Sequence, residues 1–166
     1  MTDLGLLRQF LVLGIELSEA GIKVSQPNYV LDLLLKFKMV ECKAPKCPFL
    51  SGIKLGEFGA SPSVDKSLYI QLVGSLMYLT HSRPDLEYDV GYVYIYMHEN
   101  NEIHWKAAKR ILHYVQGTKH FGVHYVVSSP LELVGYIDSD WDGDSIDRKS
   151  TSYYVFMLAH GTICWS

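Results

Sequence analysis

The spacing of hydrophobic positions changes along the chain from a strand period to a helix period. A β-prone apolar run at 11–17 and a second run at 22–25 flank a polar turn that closes at Gly21, which predicts a hairpin. Apolar residues then recur at helical spacing over 27–38, where Pro27 suits a first helical turn. The pattern predicts a β-hairpin that leads directly into a helix.

Residues 40–63 carry no period of either kind and are interrupted by prolines and glycines, which predicts a long connecting loop. Leucines then recur at three- and four-residue spacing, which predicts a helix that Ser63 or Asp65 caps. This helix should end near His81, because Pro84 disfavours helix in the residue before it. A third helix is predicted from Pro84 to about residue 97, although residues 93–96 would fit a strand equally well.

The fourth predicted helix has the clearest boundaries, with Asn101 as its cap and Gly117 as its stop. Strand-like runs follow at 122–127, 133–138, 153–158 and 162–165. Because a hairpin, a group of helices and a group of strands follow one another, the predicted fold class is α+β rather than alternating βαβ.

Composition leaves an ordinary globular chain as the expectation. The 166 residues include 15 Lys and Arg, 18 Asp and Glu and 48% hydrophobic residues, which excludes a disordered, collagenous or coiled-coil chain. No apolar run reaches the roughly 18 residues of a membrane span, and Asp3 stands where a signal peptide would be basic. We expect an intracellular chain with no membrane segment, whose three cysteines stay reduced.

Charge is distributed unevenly, since residues 104–131 contain no Asp or Glu. On the fourth helix, Lys106, Lys109, Arg110 and His113 are spaced i, i+3, i+4 and i+7 and form one basic stripe opposite the apolar face. Two interpretations are open. The stripe is either an ordinary solvated helix surface or a surface that meets phosphates.

Acidic residues occupy alternate positions from the end of the strand predicted at 133–138, and they are Asp138, Asp140, Asp142 and Asp144. With Gly143 they imitate the first half of an EF-hand calcium loop. The twelfth position, where that loop needs a bidentate Glu, is Lys149. A calcium-binding loop is therefore the weaker alternative to a solvated acidic turn.

Other catalytic motifs are missing from the sequence. It contains no G-x-G-x-x-G, no Walker lysine loop, no G-x-S-x-G elbow and no H-E-x-x-H. His98 and His104 flank a predicted helix boundary and are expected at the surface rather than as metal ligands. No small-molecule substrate is predicted.

Taken together, the motifs resemble the reverse transcriptase region of the Pol polyproteins of Ty1/copia-type retrotransposons. The segments that carry this resemblance cover nearly the whole chain, in the family's order. They are FLVLGIEL with GIKVSQ, YIQLVGSLMYLTHSRPDL, HWKAAKRILHYVQGT, and GYIDSDWDGD with DRKSTS.

The resemblance implies three segments. Residues 1–25 would be a hairpin like the primer grip at the edge of the polymerase palm, with Leu13 and Gly14 at its turn toward the primer strand. Residues 26–130 would be a helical segment like the thumb and connection, and residues 131–166 a truncated start of a ribonuclease H-like sheet. Asp138 would match the first metal-binding carboxylate of ribonuclease H.

The family's activity, RNA-directed DNA polymerase with ribonuclease H, uses Mg²⁺ and several carboxylates. Its Y-V-D-D strand has no counterpart in this sequence and is expected upstream of residue 1, and the partners of Asp138 are expected beyond Ser166. Asp142 and Tyr153 also depart from the family's usual Ala and Gly.

We therefore predict an inactive fragment without a cofactor of its own. The alternative is a non-catalytic module that binds an RNA–DNA or DNA duplex through Leu13, Gly14 and the basic stripe.

Overall fold

The structure is a computed structural model that describes residues 8–48, 55, 62, 64–98, 100–128, 130–140 and 151–166. Its described residues form an α+β fold with four α-helices and two antiparallel sheets, which confirms the predicted fold class. The chain divides into two units. Gln26–Phe121 is helical, whereas Met1–Ser25 and Gly122–Ser166 make up a β unit.

The helical unit follows the predicted order closely. Its elements are α1 (Pro27–Lys36), α2 (Lys66–Thr80), a 3₁₀ turn (Pro84–Leu86), α3 (Glu87–Tyr94) and α4 (Glu102–Gly117). The third element differs from the prediction, because Pro84 opens a 3₁₀ turn and the α-helix proper ends at Tyr94 instead of near residue 97.

Side-chain caps fix where two of these helices begin. The Asp65 carboxylate accepts hydrogen bonds from the backbone of Ser67 and Leu68 at 2.8 and 3.3 Å. At α4 the Asn101 side chain accepts from the backbone N–H groups of Ile103 and His104 at 2.9 and 3.1 Å. Each cap satisfies backbone donors that have no partner inside the helix. The predicted cap Asn101 is confirmed, and so is Asp65 of the two candidates for α2, whereas Ser63 lies outside the described residues.

His104 completes the cap of α4 from inside the protein. It is 3% exposed, and its Nδ1 accepts from the backbone N–H of Asn101 at 3.2 Å. Nε2 must then carry the proton, and it donates to the carbonyl of Leu55 at 3.2 Å. The prediction that His104 lies at the surface is wrong, because its ring holds two backbone groups that would otherwise be buried without partners.

The core lies between the four helices. Of the leucines whose spacing predicts α2, Leu72, Leu76 and Leu79 are buried in this core and Leu68 is exposed. The other buried members include Val30, Leu33, Leu34, Val73, Val90, Val93, Ile111, Leu112 and Val115. Tyr69 is fully buried among them and donates from its hydroxyl to the carbonyl of Val93 at 2.7 Å, which links α2 to α3.

A buried arginine ties the start of the 3₁₀ turn to the end of α4. Arg83 is 1% exposed, and its guanidinium donates to both carboxylate oxygens of Asp85 at 2.8 and 2.7 Å. It also donates to the carbonyl and the hydroxyl of Thr118 at 3.0 and 2.9 Å. The rings of Tyr114 and Phe121 lie 5.7 and 5.4 Å from it, so packing and hydrogen bonds together hold the charge.

The first sheet of the β unit has the order β1–β2–β3–β4, all antiparallel. Its strands are β1 (Gln9–Phe10), β2 (Leu13–Ser18), β3 (Gly21–Ser25) and β4 (Gly122–Val126). The pairing of β2 with β3 confirms the predicted hairpin. Gly21 has a φ of 152° and leaves no room for a Cβ atom beside the carbonyl of Tyr125, which explains glycine at this position.

The second sheet contains β5 (Leu133–Asp140), β6 (Thr151–Leu158) and β7 (Gly161–Trp165) in that order. The hydroxyl of Tyr125 donates to the carbonyl of Thr162 at 2.8 Å and so joins the two sheets. Among the described residues of the β unit, the buried hydrophobic side chains are Val123 and Ala159, whereas Tyr136 and Ile137 are 62% and 75% exposed. The unit therefore has little core of its own.

No helix within the described part of the chain is both long and apolar enough to cross a membrane. The division into segments 1–25, 26–130 and 131–166 stays a prediction.

Candidate nucleic-acid interface

The basic stripe of α4 is built on the side of the helix that does not enter the core. Ala107, Ile111 and Val115 are buried, whereas the stripe residues are exposed or half-exposed. The structure therefore brings Lys106, Lys109, Arg110 and His113 together on one face, as their spacing predicts.

The four members of the stripe differ in how much charge they can offer. Lys106 forms an i,i+4 ion pair with Glu102 at 2.8 Å, so part of its charge is neutralised within the helix. Burial lowers the pKa of His113, and the positive charges of Lys109 and Arg110 lower it further. His113 is therefore mainly neutral at pH 7, which leaves Lys109 and Arg110 as the stronger cations of the stripe.

Lys109 and Arg110 are also anchored. The ammonium group of Lys109 lies 5.8 Å from the ring of Trp105, in cation–π geometry. One guanidinium nitrogen of Arg110 donates to the carbonyl of Cys47 at 3.3 Å, and its buried Nε has no hydrogen-bond partner among the described residues. Both cations are thus held near the helix surface rather than extended into solvent.

Residues 40–47, the first part of the predicted connecting loop, lie along the same helix. The side chain of Gln116 donates to the carbonyl of Val40 at 3.1 Å, and Gly117 leaves no space for a Cβ atom against the side chain of Ala44. Together with the bond from Arg110 to Cys47, these contacts fix residues 40–47 on α4. Sequence spacing gave no signal for this placement, because it depends on contacts between residues more than 60 positions apart.

Leu13 and Gly14 lie elsewhere, in the β unit. They are the first two residues of β2, directly after the turn at 11–12, with Leu13 opposite Phe10 and Gly14 opposite both Gln9 and Ser25. Leu11 in this turn has a φ of 54° and is 73% exposed. The structure places the two residues side by side next to an exposed apolar turn, and their role toward a primer strand stays a prediction.

Asp138 lies on β5, opposite Tyr153 of β6, and is exposed. Within the part of the chain that the structure describes, no three His, Cys, Asp or Glu side chains come together as metal ligands. Of the predicted acidic turn, Asp142, Asp144 and Lys149 lie outside the described residues, and only the backbone of Asp140 is described. The calcium-loop alternative therefore has no structural description.

Relatives of known type match nearly the whole chain. It is 39% identical over 156 residues to the retrovirus-related Pol polyprotein from transposon RE2 of Arabidopsis thaliana, a match that covers 93% of this chain and 11% of that polyprotein. It is 34% identical over 174 residues to the Pol polyprotein from transposon TNT 1-94 of Nicotiana tabacum, covering 99% of this chain and 13% of that one.

A shorter relative matches over about two thirds of its own length. An uncharacterized mitochondrial protein of Arabidopsis thaliana is 34% identical over an alignment of 167 positions, which covers 100% of this chain and 69% of that protein. No family model and no solved structure matches the chain. The chain thus spans about a tenth of the full polyproteins that it resembles.

Proposed function

The chain belongs to the Pol polyproteins of Ty1/copia-type retrotransposons, and from this membership we propose that it is a non-catalytic part of the reverse transcriptase region that runs into the start of ribonuclease H. The parent activity is RNA-directed DNA polymerase. In that parent this segment would support the duplex rather than react with it.

The observation that carries the proposal is the setting of Asp138, the residue that matches a ribonuclease H carboxylate. Two-metal phosphoryl transfer needs several carboxylates around both ions. Asp138 stands on an exposed strand opposite the phenol side chain of Tyr153, which is not a preferred ligand of Mg²⁺. The described donor set does not fit a two-metal site, so we derive no catalytic step through Mg²⁺.

The first test is a turnover assay on this 166-residue chain. We expect neither cleavage nor primer extension when the purified protein is incubated with a labelled RNA–DNA hybrid, deoxynucleotides and Mg²⁺. A chain in which Asp138 is replaced by Asn should give the same null result. Product that depends on the wild-type protein and disappears in Asp138→Asn would contradict the proposal.

A second candidate function, a nucleic-acid-binding module, is favoured by the geometry of α4. Lys109 and Arg110 are cations held in place on α4, and the acid within this helix, Glu102, is already paired with Lys106. Held cations lose little side-chain entropy when they meet a phosphate. The face is therefore suited to the phosphate backbone of a duplex.

This candidate predicts binding that weakens steeply with salt. Each phosphate that a cation neutralises contributes about −0.9 to the slope of log K against log salt concentration. We expect fluorescence anisotropy of a labelled hybrid duplex to give a slope steeper than about −2, and Lys109→Gln with Arg110→Gln to reduce it by about 2. Negligible binding at low salt would remove this candidate.

A further inference from the structure

We propose that the basic stripe of α4 is one part of a composite phosphate-binding surface. Residues 36–47 add a second row of cations beside this stripe. The ligand that fits this composite surface is the sugar-phosphate backbone of a nucleic-acid duplex. The inference rests on the binding module proposed above and specifies which residues of the chain would meet the phosphates.

The first argument is the charge of the added row. Residues 36–47 contain four lysines and one acid, Glu41, and the lysines are Lys36, Lys38, Lys43 and Lys46. All four lysines are exposed. The segment therefore carries more net positive charge than α4, where Glu102 offsets Lys106.

The second argument is that the later part of the added row, residues 40–47, is fixed to α4. Val40, Ala44 and Cys47 contact Gln116, Gly117 and Arg110 respectively. Lys43 and Lys46 stand directly beside two of these anchor points in the sequence. Their backbone positions are consequently set by α4, although their side chains remain exposed.

The third argument is an aromatic pair that joins the start of the added row to α4. The rings of Phe37 and Trp105 lie 6.4 Å apart, and the ammonium groups of Lys36 and Lys109 lie 5.7 and 5.8 Å from them respectively. One lysine from each row thus rests on the same half-buried pair. This arrangement connects the cations of α1 with those of α4.

The same pair indicates which part of a nucleic acid the surface would meet. Single-strand binders stack bases on aromatic faces that are open to them. Here Phe37 and Trp105 are half-buried against each other and the core, and cations lie over both rings. The rings therefore support cations rather than receive bases, which favours contact with the backbone of a duplex and little dependence on sequence.

The test uses two double variants that remove the same charge. Lys43→Gln with Lys46→Gln changes the composite surface, whereas Lys23→Gln with Lys66→Gln changes lysines on β3 and at the start of α2. Binding of a labelled RNA–DNA hybrid and of a DNA duplex is measured by anisotropy between about 50 and 200 mM salt, and thermal unfolding checks that both variants fold.

We expect the first variant to reduce the magnitude of the salt slope by about 2 for both duplexes, and the control to leave it unchanged. A slope that is equal in wild type and in Lys43→Gln with Lys46→Gln overturns the composite surface while leaving binding by α4 intact. A single-stranded oligonucleotide that binds more tightly than either duplex also overturns it. Absence of wild-type binding overturns the binding module itself and this inference with it.

Discussion

Replacement of Arg83 by methionine should lower the free energy of unfolding by about 3 kcal/mol, because four hydrogen bonds and two cation–π contacts are lost together. The methionine keeps much of the apolar stem, so the loss reports on the guanidinium rather than on a large cavity. Arg83→Lys keeps the charge but cannot reproduce the fork that binds Asp85 and Thr118, and should still cost about 2 kcal/mol.

Urea unfolding of the three proteins measures these differences, and Arg8→Lys serves as the matched control. Arg8 is exposed, so the same exchange there should change stability by less than about 0.5 kcal/mol. If Arg83→Lys were as stable as wild type, charge alone would hold the end of α4, and the geometric account of this site would be incorrect.

Replacement of Asp89 by asparagine should stabilise the protein above pH 6. Asp89 is 8% exposed in the first turn of α3, and burial raises its pKa from 3.8 to about 6, with a smaller contribution from the nearby Asp85 carboxylate. Because the folded pKa lies above the unfolded one, folding favours the protonated acid. The contribution of protonated Asp89 to the free energy of unfolding is fully present below pH 4 and is lost as the pH rises through about 6.

Asparagine mimics the protonated form at every pH. We therefore expect Asp89→Asn to raise the free energy of unfolding by about 2–3 kcal/mol at pH 8 and to change it little near pH 4. Asp32→Asn, on the exposed side of α1, is the control and should hardly change the free energy of unfolding at either pH. An equal gain for Asp89→Asn at both pH values, or none at pH 8, would contradict a proton-linked origin.

Local signals in the sequence predict the elements of this fold well. Asn101 and Gly117 delimit α4, because capping and termination depend on residues within one or two turns of the helix end. The antiparallel hairpin of β2 and β3 follows from the period of two and from the turn beside Gly21. These features need no knowledge of distant contacts.

Features that depend on partners far away in the sequence could not be predicted from local patterns. His104 and Arg83 are polar types that usually lie at the surface, and their burial is explained by Leu55 and Thr118, which lie 49 and 35 positions away. The pairing of β4 with β3 also joins parts of the chain that the helical unit separates.

The candidate site shows the same division. Spacing placed the basic stripe correctly on one face of α4, since helical periodicity is a local property. Spacing could not predict that the pKa of His113 is lowered by burial and by its cationic neighbours. Nor could it place Lys43 and Lys46 beside that face, because their position depends on how a loop folds back onto the helix.

The central claim is that this chain supports a duplex and does not react with it, and one titration tests it most directly. The protein is added in excess to a labelled RNA–DNA hybrid with Mg²⁺, and anisotropy and strand integrity are read from the same samples at increasing salt. The account predicts binding that falls steeply with salt while both strands stay intact. Protein-dependent strand cleavage would contradict the non-catalytic assignment. An anisotropy that stays at the value of the free duplex, even at the lowest salt concentration, would contradict duplex binding by this chain.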